Sequence, residues 1–429
     1  MNTTPGQTPG GKANGISGTL KQIKQAFTAY QVAKATFLTS LSEFVSHLDP
    51  ENLMLEELAK QDVIGILCCP LVSDVVPGSQ ASALQSLSAL SAAAPVLSQS
   101  IVSSGILDSI IGLSLNHSSA TVQAAADSVV ESVAGASPNF AGRLLESGVV
   151  SGLCTQLTAP GQKMVKEAAV SAISALMSSH VTHAELICHQ SPVLSILTDV
   201  LSVPPQPDRR GGNGGGGGGG GGGGEEDQSY ALVQGVVRTL ASTARYSAEL
   251  AEFVVAGGSL PYIAGLVRGS HSVNTPPLLK ATALNCLSHI ARHNASLAEA
   301  VLQTGVANGA IACLTDVLVP KVRRAAVALL LQLAQKTPAL AVAIVRDGAP
   351  AAVTRHLQLE SSNPSDQLTG LTLVGTLASY TLESSKAMID SGAANEMLVA
   401  LKRAAGALTS AVDGSNLDTR NSLTNGGGG

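Results

Sequence analysis

The sequence predicts an all-α fold, a solenoid of stacked helical repeats, and three observations predict it. A segment recurs at a period of about 43 residues, apolar residues follow three and four spacing with no period-two stretch, and aromatic residues are almost absent. The 429 residues include five Phe, five Tyr and no Trp, so the 45% apolar content comes almost wholly from Ala, Val, Leu and Ile. Such a composition favours many small helix contacts over a few large cores. Charged residues are 13% and the net charge is −5, which excludes a strongly basic nucleic-acid binder and an acidic solvating chain alike. Of the 44 glycines, 13 lie between Gly211 and Gly224, a tract that lacks the Lys-Ser/Thr and the strand-to-helix context of a phosphate cradle and reads as a flexible, disordered linker.

The recurrence is carried by IVSSG, LLESG, ICHQS, VVAGG, VLQTG, IVRDG and MIDSG, ending at Gly105, Gly148, Ser191, Gly258, Gly305, Gly348 and Gly392. Their spacings are 43, 43, 67, 47, 43 and 44, and the long interval contains the glycine tract. An insertion over 203–227 restores the period, which makes that stretch a loop extruded from one repeat. A second register agrees. Fifteen residues before the markers stand Leu90, Val133, Leu176, Thr243, Ile290, Leu333 and Leu377, each followed by a small or flexible residue. Within a unit, a short apolar segment after the Gly precedes two amphipathic stretches, and the Gly fits the left-handed residue that ends a helix. Three helices per unit make this an armadillo-type superhelical solenoid of about seven repeats.

Ahead of the array, Leu20, Ile23, Phe27, Tyr30, Phe37, Leu41, Phe44 and Leu48 mark one long amphipathic helix holding three of the five Phe. It is read as a cap on the open end of the first repeat, with docking on a second molecule through its aromatic stripe as the sharper reading. The expected organisation is therefore a disordered leader 1–16, a capping helix 17–50, a solenoid 51–404 and a disordered tail 405–429. No stretch approaches 18 consecutive apolar residues and the first fifteen contain no apolar signal core, so neither a membrane span nor a secretory leader is expected. Six cysteines without a CxxC pair are expected to be reduced and buried in a cytosolic protein.

No motif for nucleophilic, acid–base or cofactor chemistry is present, so no enzyme activity and no cofactor is expected. His180, His183, Cys188 and His189 have a spacing compatible with zinc but no second ligand cluster, and no metal site is assigned. Asn285 is a lone groove-like Asn, and without Trp the Trp and Asn ladder that clamps an extended peptide is not expected. Two stretches are purely basic. Residues 1–42 contain no acid but include Lys12, Lys21, Lys24 and Lys34, and between Asp316 and Asp347 the charges are Lys321, Arg323, Arg324, Lys336 and Arg346. The candidate partner-binding residues are Lys21, Lys24, Phe27, Tyr30, Lys34 and Phe37 on the leading helix, with Lys280, Arg292, His293, Lys321, Arg323 and Arg324 in the array. Their cations suit acidic partners, against the alternative of a solvated face.

Three stretches carry a resemblance: AFTAYQVAKATFLTSLSEFV (26–45), LVSDVVP (71–77) and IARHNASLAEAVLQTG (290–305), the last echoed loosely by ARYSAELAEFVVAGG. They resemble the armadillo-repeat proteins of the ciliary and flagellar central apparatus. The likeness extends over the helix and array; that family runs on with further repeats and lacks the glycine insertion, which implies a shorter paralogue. The resemblance implies a non-catalytic axonemal scaffold in the cytoskeleton, joining other axonemal proteins, tubulin or a related armadillo protein, as a homo- or hetero-oligomer, with no nucleic acid and no membrane. A radial-spoke subunit and a soluble cytosolic adaptor holding a partner peptide are the competing readings.

Overall fold

The computed structural model describes residues 11–46, 63–73, 76–202, 230–269, 275–315, 319–359 and 364–403. Among them the regular structure is entirely helical. The chain divides into two compact units, residues 1–183 and 184–429.

The first unit opens with the helix Gly11–Ser46 and continues with Val63–Ser73, Pro77–Ala93, Pro95–Ser103, Leu107–Asn116, Ala120–Ala136, Pro138–Glu146, Val149–Thr158 and Lys163–Ser179. Its three long helices, Pro77–Ala93, Ala120–Ala136 and Lys163–Ser179, stack in sequence order, with the leading helix laid on the first of them. The second unit repeats the scheme. Its long helices Ala231–Tyr246, Pro277–Ala291, Pro320–Ala334 and Pro364–Tyr380 also stack in order, with shorter helices packed beside them.

Both sequence registers have a physical role here. Gly105, Gly148, Gly258, Gly305, Gly348 and Gly392 all adopt φ between 72° and 95°, a left-handed conformation that a side chain makes costly. At five of them the Gly N–H donates to the carbonyl three residues back, as Gly305 does to Leu302 at 2.9 Å, and so closes the short helix before it. The seven residues fifteen positions earlier, Leu90 to Leu377, are all fully buried on the long helices. Within each unit they belong to the core where successive long helices stack, built from Leu, Val, Ile and Thr. Burial of each large aliphatic side chain contributes about 1.5–3 kcal/mol.

Eleven positions before the marker lies an N-cap, a third register that apolar periodicity does not reveal. The side chains of Ser137, Ser247, Asn294, Thr337 and Thr381 accept a backbone N–H from two or three residues ahead, at 2.8 Å for Asn294 with Leu297. Pro95, Pro138 and Pro338 occupy the first helical position in the same register, where a missing N–H and fixed φ favour helix entry.

Several expectations are corrected. Ser191 closes its helix by another route, its hydroxyl and N–H both donating to the Ile187 carbonyl. The leading helix starts at Gly11, inside the expected leader, because extending a formed helix costs only the propensity of each added residue. Residues 1–10, the glycine insertion 203–227 and the tail 405–429 lie outside the described residues. Cys154, Cys286 and Cys313 are buried, but Cys68 and Cys188 are half-buried and Cys69 is exposed, since Cys69 falls on the outward face of its helix. Among the described residues no single helix is long and apolar enough to cross a membrane.

Candidate docking surfaces

The leading helix turns a different face inward from the one its periodicity suggests. Leu38 is fully buried and Gln31, Lys34 and Leu41 are half-buried toward the first repeat, where the Ser86 hydroxyl donates to the Leu38 carbonyl at 3.3 Å. The aromatic stripe faces solvent: Leu20, Ile23, Phe27, Tyr30, Phe37 and Phe44 are 45–61% exposed. The helix does lie on the end of the array, but of the residues expected to make that contact only Leu41 turns toward it, and Leu48 lies outside the described residues. Lys21 and Lys24 are exposed beside the stripe, and the Lys34 ammonium lies 5.9 Å from the Tyr30 ring centre.

In the second unit the basic candidates separate. Arg323 is buried, at 4% exposure, on the inward face of Pro320–Ala334 with Val322, Ala326 and Val327. Arg324 is paired with Asp366 of the next long helix. Lys321 is exposed and Lys280 half-buried, so the three cations of 321–324 are not one open patch. That expectation is corrected by the helix geometry, which sends neighbouring residues to different faces.

Arg292 and His293 act between repeats. An Arg292 guanidinium nitrogen donates to the Arg245 carbonyl at 3.2 Å, and His293 Nε2 lies 2.6 Å from the Ala244 carbonyl. Lys336 does the same one repeat on, donating to the carbonyls of Arg292 and His293. Each of these side chains thus sits on the carbonyl end of the preceding long helix, where unpaired carbonyls and the helix dipole favour positive charge. The IARH stretch therefore performs a packing task intrinsic to this stacking. His289 lies among them; burial, then Arg292, Arg245 and His293, hold its pKa below the usual imidazole value.

Each long helix also has an outward edge, exposed at Gln85, Arg238, Asn285 and Thr372 and half-buried at Ser128, Ser171 and Ala328. On Pro277–Ala291 it carries Leu278, Thr282, Asn285, His289 and then Arg292, at three and four spacing. Positions equivalent to Asn285 are Arg238, Ala328 and Thr372 in the second unit, and Gln85, Ser128 and Ser171 in the first. These side chains are mostly short, polar and uncharged, without a repeated Asn.

No arrangement of catalytic groups emerges among the described residues. An open cleft of about 550 Å³ lies between the ends of Leu107–Asn116 and Val149–Thr158, and its single titratable lining residue is His117, whose Nδ1 accepts the Ser119 N–H at 3.0 Å. From the wall of this cleft Gln156 donates to the Ser114 carbonyl at 2.7 Å, and the Ser114 hydroxyl donates to Oδ1 of the fully buried Asp127 at 2.5 Å. Burial raises the Asp127 pKa to about 7, against the lowering effect of Ser114 and Gln156. The His180 and His183 rings are 5.9 Å apart, edge to face, and each Nδ1 is engaged by a nearby hydroxyl, of Thr182 and Ser179 respectively. His189 packs edge-on against Phe253 at 4.8 Å. Among the described residues no three His, Cys, Asp or Glu side chains are grouped to hold a metal ion.

Comparison with solved structures agrees with this architecture. An engineered protein superposes with a TM-score of 0.67 at 18% identity, covering 83% of this chain and 78% of the other. A designed armadillo-repeat protein gives 0.51 at 18% identity over 63% of this chain and 99% of its own. Another, solved in complex with the peptide (KR)4, gives 0.51 at 17% identity with the same coverage. The fold is the armadillo-repeat fold. No family model matches the chain, and no curated protein matches it in sequence.

Proposed function

We propose that this chain is a non-catalytic scaffold that docks protein partners along the exposed edges of its long helices. The observation that carries the reading is the repeated edge itself, with Gln85 and Ser128 at equivalent places in the first unit and Arg238, Asn285 and Thr372 in the second. Polar side chains repeated along successive helices bind an extended or helical segment at several points without demanding one buried pocket. Designed proteins of this fold provide an analogy, one of them solved with a bound peptide.

The cellular setting we propose is the axoneme of a motile cilium or flagellum, in the central-pair apparatus, with other axonemal proteins and tubulin as partners. It rests on the sequence resemblance at 26–45, 71–77 and 290–305. Detergent extraction of ciliated cells expressing the tagged chain tests it. The scaffold is expected to stay with the microtubule skeleton at low salt and to leave at high salt, because screened charge contacts weaken with ionic strength. Recovery in the soluble fraction at low salt would refute the axonemal setting and favour a soluble adaptor.

A further inference from the structure

The exposed stripe of the leading helix has an internal symmetry that its amphipathic reading leaves unused. Taken from Leu20, the seam positions 20, 23, 27, 30, 34, 37, 41 and 44 alternate steps of 3 and 4, the period of a coiled-coil contact. Positions equidistant from Val32 are apolar on both sides in the three outer pairs, and the inner pair sets an aromatic ring against a cation. Leu20 mirrors Phe44, Ile23 mirrors Leu41, Phe27 mirrors Phe37 and Tyr30 mirrors Lys34. A helix with such a stripe is complementary to a second copy of itself running the opposite way, as a two-fold interface requires.

We propose that the chain forms a homodimer through an antiparallel pairing of the helix Gly11–Ser46 with its copy, centred at the height of Val32. The layers would be Leu20 against Phe44 of the partner subunit, Ile23 against Leu41 of the partner subunit, Phe27 against Phe37 of the partner subunit, and Tyr30 against Lys34 of the partner subunit. Three features commit the face to this occupant. Six of the eight seam positions, Leu20, Ile23, Phe27, Tyr30, Phe37 and Phe44, are exposed and Lys34 and Leu41 stay half-open, while the neighbouring face of the same helix, through Leu38, is already used on the first repeat. Along the far side of the stripe run Ala26, Ala33 and Ser40, all exposed and small, so a second helix can approach closely there. Charge then selects direction. A parallel pair would set Lys34 against its own copy, whereas the antiparallel pair sets each Lys34 over a tyrosine ring, a contact already prefigured at 5.9 Å within one helix. It also lays the half bearing Lys21 and Lys24 over the end bearing Glu43.

The dimer is independent of what the repeats bind, and its test is the mass of the whole chain under reducing conditions. Sedimentation equilibrium over a concentration series is expected to approach twice 43.2 kDa. Phe27→Glu alone and Phe37→Lys alone are each expected to return the mass to 43.2 kDa without changing the far-UV circular dichroism, since both side chains are exposed. Combining Phe27→Glu with Phe37→Lys in one chain should restore the dimer, because antiparallel pairing sets the new carboxylate against the new ammonium twice. A parallel pair would instead oppose like charges and stay apart. A wild-type mass fixed at 43.2 kDa would overturn the proposal. Failure of the double variant to restore the mass would overturn the antiparallel register.

Discussion

Replacing Asp127 with Asn should stabilise the protein at neutral and higher pH. The carboxyl is fully buried, takes one short hydrogen bond from Ser114, and its second oxygen has no hydrogen-bond partner. Burial places its folded pKa at about 7, against an ordinary value of 3.8. Between those values the native state holds a proton that the unfolded chain has released, so its contribution to stability is fully present below pH 3.8 and is lost as pH rises through 7. A separation of about 3 units at 1.36 kcal/mol each amounts to roughly 4 kcal/mol in full, of which about 2–3 kcal/mol is lost between pH 5 and pH 8. The amide of Asp127→Asn would keep the acceptor for Ser114 and remove the titration. Urea unfolding, followed by far-UV circular dichroism at both pH values in both proteins, measures the difference, and groups common to the two cancel. The advantage of Asp127→Asn should widen by about 2–3 kcal/mol from pH 5 to pH 8. An advantage equal at the two pH values would refute the reasoning, and so would a loss of stability at pH 8.

Other expectations follow from particular contacts. Gly148→Ala meets no atom within 4 Å, so its cost is that of φ 74° alone, about 1–2 kcal/mol in a denaturation series. Gly152→Ala would drive its Cβ into the Leu115 side chain, and should cost about 1–3 kcal/mol and be relieved by Leu115→Ala in a double-mutant cycle. Asn294→Ala removes the N-cap of Ala295–Gln303 and should lower stability by about 1 kcal/mol, with Asn294→Ser largely restoring it. Native-state thiol labelling should modify exposed Cys69 fast and leave Cys286, whose pKa burial pushes up to about 12, untouched until unfolding.

The repeat was legible because its two registers answer to backbone geometry and close packing. Gly305 marks a left-handed residue and Ile290 a position between long helices, and neither depends on anything outside the array. The leading helix was legible as a helix but not in its contacts. Periodicity identifies an apolar face without telling whether that face finds its partner in the same chain; Phe27 and Phe37 do not, and Leu38 from the adjoining face does. Arg323 shows the same limit for charge. Its place three and seven residues before Ala326 and Leu330, both buried, was the available sign that it points inward. The caps at Ser137, Ser247, Asn294, Thr337 and Thr381 were readable as a column of Ser, Thr and Asn eleven residues before five of the seven markers, with Ala94 and His180 at the other two.

The polar bonds that tie one repeat to the next carry a kinetic consequence. Gln156 to Ser114, Arg292 to Arg245, Lys336 to Arg292 and Arg324 to Asp366 span 42, 47, 44 and 42 residues. In a chain of 429 residues, each closes a loop of about one tenth of the length. Contacts of that range fall in the low contact-order regime, where loop-closure entropy is modest and folding is fast for the chain's size. A nucleus of two neighbouring repeats already contains every kind of contact that its successors will use. Growth of the folded region then proceeds by adding one repeat at a time, and a local defect such as Gly152→Ala should slow only the step that adds its own repeat.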